Sequence, residues 1–213
     1  MGTKIKLPKS DEQGKPYVSY SQLSKFRENR SDYFKNYFFG ERFEGNAYTE
    51  FGTTVGEALE NNDFKGFNTK EKKFLETIPR LDEFERKIEL DFGDYYVVGY
   101  IDSNDSKCRK LIDYKTGDLG KVSKYDSDVY DQIQIYALAI EQETGTLPKE
   151  GSVILVERTG NAFKGEKLRL GTEYVEIPQD FSKEALDKVK SDIVKTVEDI
   201  SDYWKAYRLL TKT

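Results

Sequence analysis

The first third of the chain carries apolar residues at the spacing of α-helices. Ser19 and Gln22 form a capping box, which predicts a helix that starts there and ends at Gly40. Its apolar positions are Leu23, Phe26, Tyr33, Phe34 and Tyr37. A second helix is predicted over residues 49–61, and a short surface helix is expected within residues 63–80.

Between residues 86 and 115 the pattern changes to the alternation of β-strands. The stretch KIELDFGDYYVVGYID, residues 87–102, contains a turn signal at Gly93-Asp94. A second turn signal, Ser103-Asn104-Asp105-Ser106, leads into a strand over residues 109–115. The spacing therefore predicts strands that follow one another through short turns.

The remaining residues alternate between helical and strand patterns. A helix capped by Asp126 or Ser127 is predicted next. Its apolar positions are Val129, Ile133, Tyr136, Ala137 and Ile140. The run SVILVE, residues 152–157, predicts a fully buried strand, and residues 168–177 predict alternating edge strands. A last helix is predicted over residues 182–207.

This order of elements predicts one α/β domain with a mixed central sheet flanked by helices. Residues 1–17 show no periodicity and are interpreted as a flexible N-terminal arm. The domain itself is predicted over residues 18–213. It begins with a helical part at 18–80, continues with the sheet core at 85–178, and ends with the helix at 182–210.

Composition removes several classes of chemistry. Of 213 residues, none is histidine and one is cysteine. This excludes Ser-His-Asp triads, imidazole general bases and histidine-ligated zinc. It also excludes a disulfide framework and a four-cysteine zinc or iron–sulfur site within one chain. The 15 tyrosines and 13 phenylalanines indicate a folded chain and not a disordered one.

Net charge and hydropathy limit the binding partners and the location in the cell that we expect. The 34 Lys and Arg residues and 39 Asp and Glu residues give a net charge of −5, so any polyanion would need a local basic patch or a bound metal ion. No run of about 18 apolar residues is present, so no membrane span is expected. The opening Met1–Lys4 lacks a secretory apolar run, and Gly2 lacks the serine or threonine of a myristoylation signal. We therefore expect a cytoplasmic protein.

The acids of the predicted hairpin are candidates for metal binding. Asp113 and Lys115 stand two apart, so a strand would place them on one face, and Asp102 would end the preceding strand beside them. Two adjacent carboxylates repel each other unless a cation lies between them, and an all-oxygen site favours Mg²⁺ or Mn²⁺. Lys115 could then stabilise phosphorane charge or orient a water. The alternative is a solvated strand face or a cross-strand ion pair, with Asp102 as an ordinary turn residue.

The segments GYID, IDYKTG and QIQIY resemble the RecB-like branch of the PD-(D/E)XK nucleases, which includes CRISPR-associated and recombination exonucleases. That branch has an acid at a strand end, a D/E-x-K on the next strand, and a Q-x-x-x-Y helix. The matching residues here are Asp102, Asp113, Lys115, Gln132 and Tyr136. The resemblance implies a restriction-endonuclease-like core with an N-terminal helical segment.

The N-terminal part extends the resemblance to residues 19–140. The family's S-x-S-x-L-x-x-F start is matched by Ser19, Ser21, Leu23 and Phe26. Its G-x-x-x-H-x-x-x-E motif is matched by Gly52 and Glu60, but Gly56 replaces the histidine. Glu60, or Glu57 as second choice, could supply the missing ligand, or both could be surface charges. Asn29-Arg30 replaces a Cys-Pro of relatives that bind an iron–sulfur cluster, so none is expected here.

The resemblance implies metal-dependent hydrolysis of DNA. Asp102, Asp113 and the Tyr114 carbonyl would hold Mg²⁺ or Mn²⁺, with Lys115 at the water. Gln132 and Tyr136 would contact the strand or the phosphate beside the break. The segment from Lys107 to Lys124 carries a net charge of +4, with six basic and two acidic residues. The residues expected to bind nucleic acid are Ser21, Arg27, Lys121 and Lys124.

Three functions remain open at this level. The first is an active deoxyribonuclease, an exonuclease more than an endonuclease, in recombination, repair or phage DNA processing. It would work in a bacterial or phage-infected cell, with a separate helicase, single-strand-binding or recombination protein as a possible partner. The second is an inactive nuclease-fold module that binds nucleic acid or protein. The third is a metal protein acting on a small phosphate ester. Strand preference, cleavage polarity and oligomeric state stay open.

Overall fold

A mixed six-stranded sheet forms the centre of the computed structural model, which describes residues 5–211. The strands are β1 (Tyr17–Ser19), β2 (Glu83–Asp91), β3 (Tyr96–Asn104), β4 (Lys110–Gly117), β5 (Glu150–Thr159) and β6 (Arg169–Pro178). The helices are α1 (Tyr20–Glu28), α2 (Arg30–Tyr37), α3 (Ala47–Asn61), α4 (Thr69–Leu75), α5 (Gln132–Thr144) and α6 (Lys183–Leu210). The predicted architecture, a mixed sheet flanked by helices, is confirmed.

The order of the strands makes β3 the branching point of the sheet. Strand β2 pairs antiparallel with β3 along its whole length, so it occupies one edge of β3. The other edge is shared: β1 pairs in parallel with the start of β3, and β4 pairs antiparallel with its end. The sheet continues from β4 to β5 in parallel and from β5 to β6 antiparallel.

Hydrophobic cores cover the two faces of the sheet. Helices α1, α2, α5 and α6 contribute to the larger core, and every residue of α5 from Ile133 to Ile140 is buried. Helices α3 and α4 cover the other face with a smaller core. Alternate residues of β5 enter different cores: Val153 and Leu155 the larger, Ile154 and Val156 the smaller. This is why SVILVE is a continuous apolar run.

The predicted helix from Ser19 to Gly40 is two helices. Asn29 ends α1 and begins α2, where its side chain accepts a hydrogen bond from the Asp32 amide at 3.1 Å. The Ser19 cap is present, since its hydroxyl accepts the Gln22 amide at 3.4 Å. In a capping box the Gln22 side chain would accept the Ser19 backbone amide. Here the Gln22 side chain donates to the Ser19 hydroxyl instead, so the capping box is incomplete. Asparagine favours a helix start over a helix interior, which explains the break.

The helix expected from Asp126 or Ser127 starts at Gln132 instead. The Ser127 hydroxyl accepts a hydrogen bond from the Asp180 amide at 2.8 Å, so it is not a helix cap. Val129 lies outside the helix and is 70% exposed. Two long-range contacts of the following residues, Tyr130 with Asp113 and Asp131 with Arg27, hold this segment in an irregular conformation.

The predicted flexible arm is placed against the core over residues 5–17. Leu7 is buried, and the Lys6 amide donates to the Ser201 hydroxyl on α6 at 3.0 Å. The expectations for Met1–Lys4 lie outside the described residues. No helix within residues 5–211 is long and apolar enough to cross a membrane.

Gly99 of the GYID segment makes room for a tyrosine of the QIQIY segment. A Cβ atom at position 99 would lie 2.5 Å from the Tyr136 ring and 3.3 Å from the Ile88 side chain. Strand β3 and helix α5 can therefore approach each other only because residue 99 has no side chain. Two sequence motifs that are far apart along the chain meet at this contact.

We expect Gly99→Ala to lower the free energy of unfolding by about 1–3 kcal/mol, because the added methyl group forces the Tyr136 ring to move. Thermal unfolding measures the change. Gly66→Ala is the matched control, since nothing lies within 4 Å of a Cβ at that position. Equal melting temperatures for the two variants would contradict the tight contact.

Candidate active site

The site lies where β3 and β4 separate. Their last paired residues are Ser103 with Ile112 and Asn104 with Leu111. Asp102 and Asp113 come next, at the point where the strands part. Asp102 lies inside β3, which runs on to Asn104, so the prediction that it ends the strand is wrong. The Tyr114 amide donates to Asp102 Oδ2 at 2.7 Å and bridges the opening.

Asp113 is the most deeply buried acid of the site. Its side chain is fully buried, and Oδ2 lies 2.6 Å from Lys115 Nζ. The Tyr130 hydroxyl donates to the same oxygen at 3.0 Å. The second oxygen, Oδ1, is buried and has no hydrogen-bond partner among the described residues. A buried carboxylate oxygen without a partner is costly, so Oδ1 is positioned as an acceptor for a ligand.

A chain of hydrogen bonds links Asp113 to helix α5. The Tyr130 hydroxyl also contacts Gln132 Oε1, and Gln132 Nε2 contacts the Tyr136 hydroxyl. Burial raises the pKa of Tyr130 and of Tyr136, so both stay protonated as donors. Gln132 and Tyr136 are thus brought together as predicted from their spacing. Tyr130 was missed, because its contact with Asp113 depends on the irregular segment before α5.

The two acids and the lysine perturb one another. Burial, followed by the charge of Asp113, raises the pKa of Asp102 to about 7. Burial alone would lower the pKa of Lys115, but the charges of Asp113 and Asp102 outweigh it and raise that pKa. Lys115 therefore remains an ammonium ion, and Asp102 binds a proton more readily than an exposed carboxylate does.

An acidic cleft of about 570 Å³ opens on the α3 side of Asp102 and Lys115. It is lined by Glu57 and Glu60 of α3 and by Glu85 of β2. Partial burial and the nearby charge of Glu60 raise the pKa of Glu85. Both candidate substitutes for the missing histidine thus lie in the cleft, Glu57 on its exposed side and Glu60 half-buried.

Sequence reasoning missed Glu85. It lies opposite Asp102, because its neighbours Phe84 and Arg86 pair with Ser103 and Ile101. Its φ of 50° is in the left-handed region, which interrupts the alternation of the strand. Strand periodicity alone makes Glu85 an ordinary surface charge, so no signal in the sequence identified it.

The donor set fits a hard divalent cation. Asp102 and Asp113 repel each other, and Asp113 Oδ1 lacks a partner, which a cation between them would correct. Within residues 5–211 no three acidic side chains already stand close enough to form a metal shell. Glu60 and Glu85 line the same cleft as Asp102 and are the candidates for a third acidic ligand. The Tyr114 amide donates to Asp102, and the Tyr114 hydroxyl donates to the Pro79 carbonyl. The Tyr114 carbonyl is therefore the group of this residue that is left as a ligand.

A second groove, of about 810 Å³, reaches Lys115 from the side of α1. Two residues predicted to bind nucleic acid, Ser21 and Lys124, line it. Its other lining residues include Tyr20, Lys25, Tyr125, Tyr130 and Gln132. Lys115 therefore lines both the acidic cleft and this groove, which we call the α1 groove.

The other two predicted nucleic-acid contacts lie elsewhere. Lys121 is exposed but does not line the α1 groove. Arg27 pairs with Asp131 at 2.8 Å and donates to the Thr196 hydroxyl at 3.1 Å. The ion pair joins α1 to the residue before α5, and the hydrogen bond joins α1 to α6. Arg27 therefore holds elements of the fold together.

A family model described as the PD-(D/E)XK nuclease superfamily matches residues 63–208, more than half of the chain. The chain belongs to the PD-(D/E)XK nuclease superfamily. The match includes the strands with Asp102, Asp113 and Lys115, and the resemblance to the RecB-like branch agrees with it. A comparison with curated proteins gave no match.

One solved structure supports the PD-(D/E)XK fold with a TM-score above 0.5, and two others are similar at lower TM-scores. A candidate exonuclease from Eubacterium rectale is 15% identical with a TM-score of 0.57, over 91% of this chain and 84% of that one. An alkaline exonuclease from Laribacter hongkongensis is 12% identical, with a TM-score of 0.48 over 92% of both chains. A phage-related exonuclease from Haemophilus somnus is 17% identical, with a TM-score of 0.44 over 90% of this chain and 81% of that one.

We expect Asp102→Asn to change the pH dependence of stability of this PD-(D/E)XK protein. The raised pKa of Asp102 means that the folded state keeps a proton that the unfolded state loses. The free energy of unfolding therefore falls as the pH rises from about 4 to about 7. Asparagine removes this term and can still accept the Tyr114 amide. In EDTA at pH 8 the variant should melt a few degrees above wild type.

Melting curves with added Mg²⁺ complete this test. The cation should raise the wild-type melting temperature and have little effect on Asp102→Asn. Asp94→Asn, at an exposed turn position, is the control and should behave as wild type. A wild-type pH profile in Asp102→Asn would contradict the raised pKa.

Proposed function

We propose that the chain is a Mg²⁺- or Mn²⁺-dependent deoxyribonuclease, and an exonuclease more than an endonuclease. The observation that supports this most directly is the buried Asp113, with Oδ1 unpartnered and Oδ2 held by Lys115, beside Asp102. Membership of the nuclease superfamily agrees with it. The choice of exonuclease follows the resemblance to recombination exonucleases, and recombination, repair or phage DNA processing would supply strand ends.

Each acid of the site has a distinct part in this proposal. Asp102 and Asp113 would hold the cation, with the Tyr114 carbonyl and Glu60 or Glu85 as further donors. Bound there, the cation would supply Lewis acidity to water and to the scissile phosphate. Tyr130 keeps Asp113 Oδ2 occupied, which leaves Oδ1 as the free donor atom.

Lys115 is the residue that faces the reacting groups. Its ammonium group is fixed by the ion pair with Asp113 and lines both the acidic cleft and the α1 groove. In the reaction a water oxygen bonds to phosphorus, the bond from phosphorus to the leaving oxygen breaks, and that oxygen takes up a proton. Lys115 can hydrogen-bond the water or a non-bridging oxygen, whose negative charge grows in the transition state.

The α1 groove is the proposed path of the DNA strand. Gln132 lines this groove beside Lys115, so its side chain can reach a phosphate. Tyr136 is buried and holds Gln132 by a hydrogen bond, so we assign it a positioning role. Ser21 supplies a hydroxyl along the groove, and its three lysines, Lys25, Lys115 and Lys124, outnumber the two acids that also line it, Glu28 and Asp32.

The second candidate is an inactive nuclease-fold module that binds nucleic acid or protein. Gly56 in place of the expected histidine favours it, as does the lack of three assembled metal ligands within the described part of the chain. The presence of Asp102, Asp113 and Lys115 together favours the enzyme. Cleavage assays separate the two.

We expect Asp113→Ala and Lys115→Ala each to slow DNA cleavage by at least about a hundredfold, because each removes a charge that acts on the transition state. The assay uses single strands labelled at the 5′ or 3′ end, linear duplex and circular DNA, each with Mg²⁺, Mn²⁺ or EDTA. Lys70→Ala is the control, since this exposed lysine of α4 lines neither the acidic cleft nor the α1 groove. Wild-type rates in a folded Asp113→Ala protein would sink the assignment.

Three glutamine variants test the third donor. We expect Glu60→Gln and Glu85→Gln to weaken Mg²⁺ binding by about tenfold. The charge of Glu60 raises the pKa of Glu85, and the charge of Glu85 raises the pKa of Asp102. The negative charges are therefore close enough to one another to attract a cation bound at Asp102. Glu57→Gln, on the exposed side of the same cleft, should change it little. Calorimetric titration measures the affinity, and a Glu60→Gln protein that binds as wild type would make Glu60 a surface charge.

A further inference from the structure

An exposed aromatic residue stands at the tip of the turn between β5 and β6. Phe163 belongs to the short turn Ala162–Lys164 and is 86% exposed. Single exposed apolar residues are common, so exposure alone indicates nothing. Phe163, however, is held in place by a set of specific contacts.

The turn is fixed to helix α3 through Tyr48. The Tyr48 hydroxyl donates to the Asn161 side chain at 3.2 Å and accepts the Ala162 amide at 3.0 Å. The centres of the Tyr48 and Phe163 rings are 5.3 Å apart. The Arg158 guanidinium lies 4.3 Å from the centre of the Tyr48 ring. Gly160, at φ +88°, closes the turn where any Cβ would collide with the Lys167 carbonyl. Phe163 is therefore presented by a rigid support.

Helix geometry places this support at the rim of the acidic cleft. Tyr48, Gly52, Gly56 and Glu60 are each four residues apart and follow one face of α3. The last three line the cleft, and a Cβ at Gly52 would lie 3.4 Å from Thr116 Oγ1, next to Lys115. Tyr48 lies four residues before Gly52, which is about 6 Å along the helix axis at 1.5 Å per residue.

The segment that contains the turn is slightly basic. Residues 157–167 include Arg158, Lys164 and Lys167 against Glu157 and Glu166, which gives a net charge of +1. Glu157 already accepts the Thr172 amide at 2.8 Å. Arg158 Nε has no hydrogen-bond partner among the described residues, although it is shielded from solvent.

We propose that Phe163, supported by Tyr48 and Arg158, is a stacking platform for an unpaired base of a nucleic-acid strand that runs from the α1 groove past Lys115 to the rim of the acidic cleft. The platform rests on the proposed nuclease function. A base inside a duplex is already stacked on both faces, so the ligand of Phe163 is either an unpaired base or the outer face of a terminal base pair. We assign the platform to an unpaired base, so that the substrate next to the cut is single-stranded, and the blunt duplex in the test below separates the two. Stacking is tolerant of sequence, so the platform adds affinity and no base preference.

Binding of a fluorescein-labelled single strand of mixed sequence tests the platform directly. Fluorescence anisotropy is measured with proteins that also carry Asp113→Ala, so that the strand stays intact. We expect Phe163→Ala to weaken binding by at least about fivefold, Phe163→Trp to retain it, and Phe163→Leu to lose it as alanine does. Blunt duplex of the same length should bind equally to all four proteins.

Phe39→Ala is the matched control. Phe39 is 59% exposed, and its ring lies 5.6 Å from that of Tyr207, much as Phe163 lies beside Tyr48. We expect this variant to bind the single strand as its parent does. Equal binding by Phe163→Ala and its parent, or an equal loss on blunt duplex, would overturn the platform.

Cleavage by the wild-type protein separates this inference from the proposed function. If the wild type cleaves DNA with Mg²⁺ or Mn²⁺ but Phe163→Ala binds normally, only the platform is wrong. If no DNA is cleaved and Phe163→Ala still loses single-strand binding, the platform holds and the nuclease assignment fails.

Discussion

The parting of β3 from β4 is the constraint on which the site depends. Both strands need hydrogen-bonding partners along their length, and β2, β1 and β5 supply them where β3 and β4 do not pair with each other. The free edges that remain lie at Asp102 and Asp113. Because the rest of the sheet fixes both strands, the two acids are held in proximity despite their repulsion, without a need for the acids themselves to stabilise the fold.

The opening also explains why one lysine serves two surfaces. Lys115 lies on β4 just past the separation, where the sheet no longer forms a continuous wall between the acidic cleft and the α1 groove. In the proposed function, a cation among carboxylates and a strand among hydroxyl and ammonium groups have opposite electrostatic needs. The acidic cleft and the α1 groove would meet these needs as two surfaces that share Lys115.

Local periodicity predicted the parts of the site that depend on local geometry. Asp113 and Lys115 follow from a strand repeat of two, and Gln132 and Tyr136 from a helix repeat of four. Glu85 and Tyr130 could not be found in this way. The first depends on a positive φ inside a strand, and the second on a contact from the irregular segment before α5 to Asp113 on β4.

The open space at Gly56 has a consequence for how the cleft can be altered. A Cβ at Gly56 would meet nothing within 4 Å, although the residue lines the cleft beside Glu57 and Glu60 of the same helix. A side chain can therefore be introduced at this position while the backbone stays as it is. The chemistry of the cleft at position 56 is thus separable from the packing that holds α3 on the sheet.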